Sequence, residues 1–457
     1  MSDAYAAVFQ GSPIQPAVGN QITFDLKKLT VAGNTLKLVG KLPAGLKYNA
    51  TTGLLSGTIT AAPGTYPLSV QIYQGKTLLR TVSLPITVLA FPGSLIGNYE
   101  ALLEDSGSVP VGVCQISITN ADQWTASLLC KGASKRTAKG SFILDQGAPI
   151  APITAVFPAA SGAGAITVQI SVNGGTPTFN GTFNGGSVLG FHLASGSALP
   201  SSTSNYSLVL DQGVRDGITV PAGLGWMKGS VNTLGVGTFT GMLGDGMDSS
   251  LSIHLTATGQ AIVWAQPYAN KNSYFAGLVT LGNLGLPAFT GTRPADRAWW
   301  SKAADAKSLS YPNGFPGMAL TLGTSKWITP STATALGASL GWRNNRTASV
   351  SIDGAGLSNR DPQTSSPPLP TEFSLDDQFN LATSAPVSPA PIAWSGKASS
   401  TNGAVSGTLT LPGGAAPVSA VLVQDDPWAA ITGCGLIKVP VSGIKGSFKT
   451  AAFVFHQ

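Results

Sequence analysis

The chain has 457 residues and a formal net charge of +6, from 26 basic and 20 acidic side chains. Charged residues make up only 10 %, against a typical ~25 %, while hydrophobic residues make up 43 %, which excludes a disordered chain. The basic residues form no run longer than "SKR" (Ser134 to Arg136), which excludes a clustered nucleic-acid-binding face, and no segment is long and apolar enough for a transmembrane helix.

The opening, "MSDAYAAVFQG", has neither a basic region nor an apolar core, so no signal peptide is expected in this chain. The shortage of charge is made up by Ser, Thr, Asn and 56 glycines, the composition of exported β proteins, so an extracellular or cell-surface location is expected. Helix periodicity is nearly absent. Alternating runs such as "TYPLSVQIY", "ITVQISVNG", "SLSIHLTATG" and "TASVSIDGAG" recur between Gly, Asn, Asp and Pro, which predicts an all-β protein with antiparallel sheets.

The first predicted element runs over residues 1–91 and ends near "LAFPGS" (Leu89 to Ser94). Its alternating core set is Ile22 and Phe24, Leu36 and Leu38, Leu68, Val70 and Ile72, then Val82, Leu84 and Ile86. Its motifs are Leu42-Pro43-Ala44-Gly45-Leu46, Asn49 to Gly53, Leu55-Ser56-Gly57-Thr58 and Gly64-Thr65-Tyr66. In that order they resemble the putative-Ig (cadherin-like) modules strung along bacterial surface proteins. The resemblance implies an N-terminal Ig-like β-sandwich.

Residues 92–457 read as one large antiparallel β region, barrel-like or of stacked hairpins, with sub-units at about 92–200, 201–290 and 291–457. Its first hairpin is "GVCQISITNADQWTASLLCKG". Folded about Asp122, it sets Cys114 opposite Cys130, Ile116 opposite Leu128 and Ile118 opposite Ala126. Opposed Cα atoms lie about 4.5–5.5 Å apart, within disulfide range, so a Cys114–Cys130 bridge is expected. Cys434 is then left over as a buried strand thiol.

Further on, "GSVNTLGVGTFTGMLGDG" from Gly229 is echoed by "GKASSTNGAVSGTLTLPGG" from Gly396, both glycine-closed strand–turn–strand units. "SNYSLVLDQG" precedes the first, and "SLSYPNGFPGMALTLGTSKWITP" (Ser308 to Pro330) stands alone. These hairpins and the "YP-x-GF" element resemble the β-rich repeat region of large bacterial cell-surface proteins. The resemblance implies an architectural repeat and no known chemistry.

Candidate chemistry is sparse. The turn "GDGMDSS" offers Asp245 and Asp248, with carbonyls, as calcium ligands; no other cofactor is expected. "LDDQ" (Asp376, Asp377) and "QDDP" (Asp425, Asp426) are further paired acids of the kind glycoside cleavage requires. In "TRPADRAWWSKAAD", Trp299 and Trp300 stand beside Arg293 and Arg297, a candidate surface for sugar rings or a partner chain. "GASLG" (Gly337 to Gly341) matches the G-x-S-x-G elbow around Ser339, but it reads as part of a strand, and His192, His254 and His456 lie in strand patterns or at the end of the chain.

The function these residues support is a non-catalytic structural or adhesive protein of the bacterial surface or matrix. It would pair through strand edges with itself or with other surface β proteins. The alternative is a secreted protein that binds or cleaves polysaccharide through Trp299/Trp300 and paired acids.

Overall fold

The computed structural model describes residues 21–90, 93–119, 123–141, 144–145, 148–149, 153–155, 166–173, 176–196, 199–213, 216–256, 258–281, 297–358, 369–383, 394–411, 414–424 and 431–457. Contacts divide the chain into two compact units. The first holds residues 1–108, 114–128 and 135–192, and the second residues 109–113, 129–134 and 193–457. The chain is all-β apart from short 3-10 turns and one seven-residue α-helix among the described residues.

In the first unit, residues 21–88 form three small sheets. Leu54–Thr58 lies between Gln21–Asp25 and Leu46–Asn49, Ser69–Gln74 between Thr35–Val39 and Thr77–Ser83, and Gly64–Tyr66 pairs with Ile86–Val88. The expected alternation is what they bury. Leu68, Val70, Ile72, Leu84 and Ile86 are in the core, with Ile22, Phe24, Leu36, Leu38 and Val82 packed against it.

The module's motifs have mechanical reasons. The Asn49 carboxamide accepts from the Thr51 and Thr52 N–H groups, which builds the "NATTG" turn. Gly45 and Gly57 both have positive φ, and a Cβ on either would lie about 2 Å from the other segment's backbone carbonyl oxygen. Only two glycines let "LPAGL" and "LSGT" approach so closely. Gly57→Ala is expected to lower the stability of this module by about 3 kcal/mol, measured by denaturant unfolding.

An eight-stranded sheet follows, with Gly97–Glu104 at its centre beside Pro110–Ile118 and Gly186–His192. The first hairpin corrects the disulfide expectation. The Thr119 N–H donates to the Gln123 carbonyl and the Lys131 N–H to the Val111 carbonyl, both at 3.0 Å. This register sets Cys114 opposite Leu128 and Cys130 opposite Gly112, where a Cβ would meet the Cys130 sulfur at 2.8 Å. The ladder is centred one position before Asp122, a residue outside the described set, so its partners are shifted by two residues. A two-residue shift keeps Ile116, Ile118, Ala126 and Leu128 on the buried face while it moves the cysteines to diagonal positions. Diagonal neighbours are about 7–8 Å apart, beyond disulfide reach, and none of Cys114, Cys130 and Cys434 is in a disulfide.

His192, on the strand Gly186–His192, packs against Tyr99 with ring centroids 4.8 Å apart. Burial holds its pKa below 6.5, partly opposed by a backbone hydrogen bond at Ile96. The neutral ring is therefore the form the fold prefers. The stability it contributes is complete above the unfolded value of about 6.5 and is lost as pH falls towards the lower folded value. The melting temperature of this unit should fall between pH 7 and 5, and His192→Asn should flatten that slope.

The second unit contains two β bodies. One is an eight-stranded sheet in the order Asp248–His254, Val236–Met242, Gly225–Val231, Ser204–Asp211, Phe315–Trp327, Arg297–Lys302, Tyr274–Thr280, Gln260–Ala265. Its two outer strands are consecutive in sequence and are bridged at Leu255 and Ala261, so the sheet curls back on itself. Phe239, Phe275, Trp300 and Phe315 fill the concave side.

The other body is a closed barrel of eight strands. Thr347–Gly354, Glu372–Leu375, Asn380–Thr383, Trp394–Ala398, Ala404–Leu411, Gly414–Leu422, Ile431–Pro440 and Phe448–His456 follow one another, and the last pairs with the first. Eight strands leave an interior that side chains can fill. Phe373, Trp394, Phe453 and Phe455 pack there ring against ring.

The segment read as a strand around "GASLG" is the α-helix Ala333–Ser339, started by the Thr332 hydroxyl, which accepts from the Ala335 N–H at 3.0 Å. Leu336, fully buried, ties the helix to the barrel core. The helix is too short for a 3.6-residue period to show in the sequence. A Cβ at Gly337 would lie 1.9 Å from the Asn345 carbonyl oxygen, and Gly341 ends the helical turn at φ +66°. The two glycines of the motif therefore serve helix packing and helix termination. Gly337→Val is expected to cost about 3 kcal/mol, read as a lower denaturation midpoint for the second unit.

Sheet and barrel meet along an apolar seam of Val209, Leu224 and Trp226 with Val421, Val423, Cys434, Ala452 and Val454. Hydrogen bonds run beside it. The Ser207 hydroxyl donates to the Leu422 carbonyl at 3.0 Å and the Leu224 N–H to the Gly435 carbonyl at 3.2 Å.

Candidate binding cleft

The residues expected to carry function are placed as follows. Asp245 is fully buried, and its carboxylate accepts from the Lys302 ammonium at 2.9 Å, the Tyr268 hydroxyl at 3.0 Å and the Met247 N–H at 3.1 Å. The Lys302 ammonium is the cation paired with this carboxylate. Asp248 is exposed on the neighbouring strand, and no group of three His, Cys, Asp or Glu suited to a metal exists among the described residues.

Trp300 is 1 % exposed, and its indole N–H donates to the Tyr268 hydroxyl at 3.0 Å. Burial, then the Asp245 charge, holds that hydroxyl's pKa well above its usual value. Trp299 points to the other face and is half-buried, in the room left by Gly317. Arg297 is half-buried on the same strand, while Arg293 lies outside the described residues. The two indoles therefore do not form one platform.

The Ser339 hydroxyl donates to the Leu336 carbonyl at 2.8 Å and accepts from the Gln424 side chain at 3.1 Å. One serine does meet a histidine, Ser351 with His456 Nε2 at 2.7 Å. Neither lines the cleft described next. Asp377 is ion-paired with Arg346. Asp376 has its carboxyl held below the usual range by the Asn380 side chain first and then by the Asn380 N–H, with Lys397 adding a smaller charge effect. Asp425 and Asp426 lie outside the described residues.

A cleft of about 690 Å³ opens in the second unit between the curled sheet and the outer wall of the barrel. On the sheet side, Gly225–Val231 contributes Trp226 and Lys228, two residues apart and so on one face, and Met242 lies beside them. On the barrel side stand Lys397 from Trp394–Ala398, Ser406 from Ala404–Leu411, Ser419 from Gly414–Leu422, and the turn residues Asp377 to Phe379. Phe379 is held at φ +62°, a strained conformation for an aromatic residue. The Trp226 indole N–H is buried and without a hydrogen-bond partner.

The charges of the two lysines are not neutralised within the ladders. Lys228 lies opposite Ser207 on one side and Thr240 on the other. Lys397 lies between Asn380 and Ser406. Chemically the cleft offers two ammonium groups, several hydroxyls and an amide, with the buried Trp226 and half-buried Phe379 in its lining and no hydrogen-bonded nucleophile–base pair among its described lining residues.

Residues 6–89 match the putative Ig domain family. That agrees with the Ig-like module expected at the N-terminus and with the small sheets found there. No curated protein matches the chain. The solved vaccine antigen transferrin-binding protein B from Haemophilus parasuis Hp5, a Tyr-167-Ala and Trp-176-Ala double mutant, aligns over 92 % of this chain and 85 % of its own. The identity is 10 % and the TM-score 0.20, a value from which no argument about fold or role is drawn.

The described lining residues of the cleft run from Trp226 to Ser419, well beyond the stretch that matches the Ig family. Lys228 and Lys397 did carry one signal, since each flanks the first glycine of an echoed stretch, "KGS" and "GKAS". The echo marks two hairpins, but nothing in it says that they face each other. Trp226 carried no signal apart from its type.

Proposed function

We propose that this protein is a non-catalytic, extracellular protein of the bacterial surface or matrix, with an adhesive or structural role. The observation that carries the reading is the cleft, whose described lining residues are binding groups with no hydrogen-bonded nucleophile–base pair. The Ig-domain match over residues 6–89 supports the same reading, because it puts a module with its own core ahead of the β bodies. Among the described candidates, Asp245 and Asp377 are ion-paired, Asp376 and Ser339 hydrogen-bonded within turns, and Trp300 buried, which also favours a scaffold over an enzyme.

The test is antibody labelling of intact cells against the full chain. Labelling before permeabilisation is the expected result, and labelling only afterwards overturns the surface assignment. Incubation with polysaccharide is expected to release no new reducing ends. Release that disappears in Ser351→Ala or His456→Ala would overturn the non-catalytic part.

A further inference from the structure

We propose that the cleft between the two echoed hairpins binds an acidic saccharide, with its carboxylates held by Lys228 and Lys397. This rests on the reading of the chain as a surface binding protein and names the ligand class of that site.

Size, charge and lining each narrow the ligand. A volume of about 690 Å³ falls within the ~300–1,000 Å³ of small-ligand sites, enough for a short oligosaccharide. Lys228 and Lys397 stand on opposite walls, and every ladder neighbour of either is neutral. Asp377, the one acid among the described lining residues, is ion-paired with Arg346, while Asp376, bonded to Asn380, feels only a minor charge effect from Lys397. An anionic ligand would meet two ammonium groups, each a compact point charge that a carboxylate can approach from several directions.

The remaining lining decides between kinds of anion. Ser399, Ser400, Ser406, Ser419 and Gln378 present hydroxyls and an amide, partners for the many hydroxyls of a sugar. Trp226, buried in the seam, and half-buried Phe379 complete the lining with apolar surface. A nucleic acid would need a longer basic track than two lysines. A purely apolar ligand would leave the serines and lysines unpaired.

The experiment is calorimetric titration of the full-length protein with three oligosaccharides of matched length: an oligogalacturonate, a sulfated heparin fragment and a neutral maltooligosaccharide. Oligogalacturonate is expected to bind, and more weakly as salt rises. Lys228→Gln and Lys397→Gln are each expected to weaken it at least about tenfold, while Lys76→Gln, on the Ig-like module, leaves it unchanged. Lys397 is exposed, so its variant keeps the test open if Lys228→Gln disturbs folding. Equal binding of the neutral sugar overturns the role of charge, and binding of the sulfated sugar alone overturns the carboxylate assignment. No binding at all overturns the ligand class, and the cell-labelling result then stands or falls on its own.

Discussion

Exchanging Lys302 for methionine will destabilise the second unit by about 3–5 kcal/mol, the usual cost of removing one partner from a buried ion pair. Lys302 and Asp245 both have essentially no exposed side-chain surface. Without the ammonium, the carboxylate keeps only the Tyr268 hydroxyl and the Met247 N–H, too few to replace water around a charge. The ammonium itself is well held, donating to the Ser310 carbonyl at 2.6 Å and lying 5.2 Å from the centre of the Tyr268 ring. For a unit of this size the loss corresponds to a melting point lower by on the order of 10 °C. Adding Asp245→Asn removes the stranded charge but keeps the turn hydrogen bond to Met247. The double variant should therefore recover most of the loss. A Lys302→Met protein with unchanged melting would show that the pair is not buried as described.

Val421→Asp should be nearly as damaging, and it should lower the stability of sheet and barrel together. Val421 is fully buried in the seam that joins them, against residues such as Val209, Trp226 and Val454. A carboxylate there has no partner and costs several kcal/mol in desolvation. Because each body covers apolar surface of the other, residues 193–457 are expected to melt in one calorimetric transition that moves as a whole in the variant. A chain ending near Ala90 is expected to fold separately around Leu55, Val70, Ile72 and Ile86, which carry their own core. Two separate transitions within residues 193–457 would show that the seam does not couple the bodies.

Local chemistry by itself determined the fold class and the N-terminal module. Strand alternation is a one-dimensional property, so Val70 and Ile72, or Ile116 and Ile118, declare their buried face without any partner. The module's motifs are nearly as local, because the turn from Asn49 to Gly53 closes within a few residues and brings the Gly45 and Gly57 segments together. What needed the tertiary structure were quantities set by register and by long-range pairing. A two-residue shift of one ladder preserves every face and still separates Cys114 from Cys130, since alternation has period two and cannot see such a shift. The pairing of Thr347–Gly354 with Phe448–His456, which closes the barrel, joins segments about a hundred residues apart and has no local signature. Asp245 could be read as a metal ligand because Lys302, 57 positions away, is brought to it only by the curl of the sheet. The cleft follows the same logic. Lys228 and Lys397 are unremarkable strand lysines until sheet and barrel pack along the seam, and that packing, driven by buried area with no sequence period of its own, brings both to one cleft.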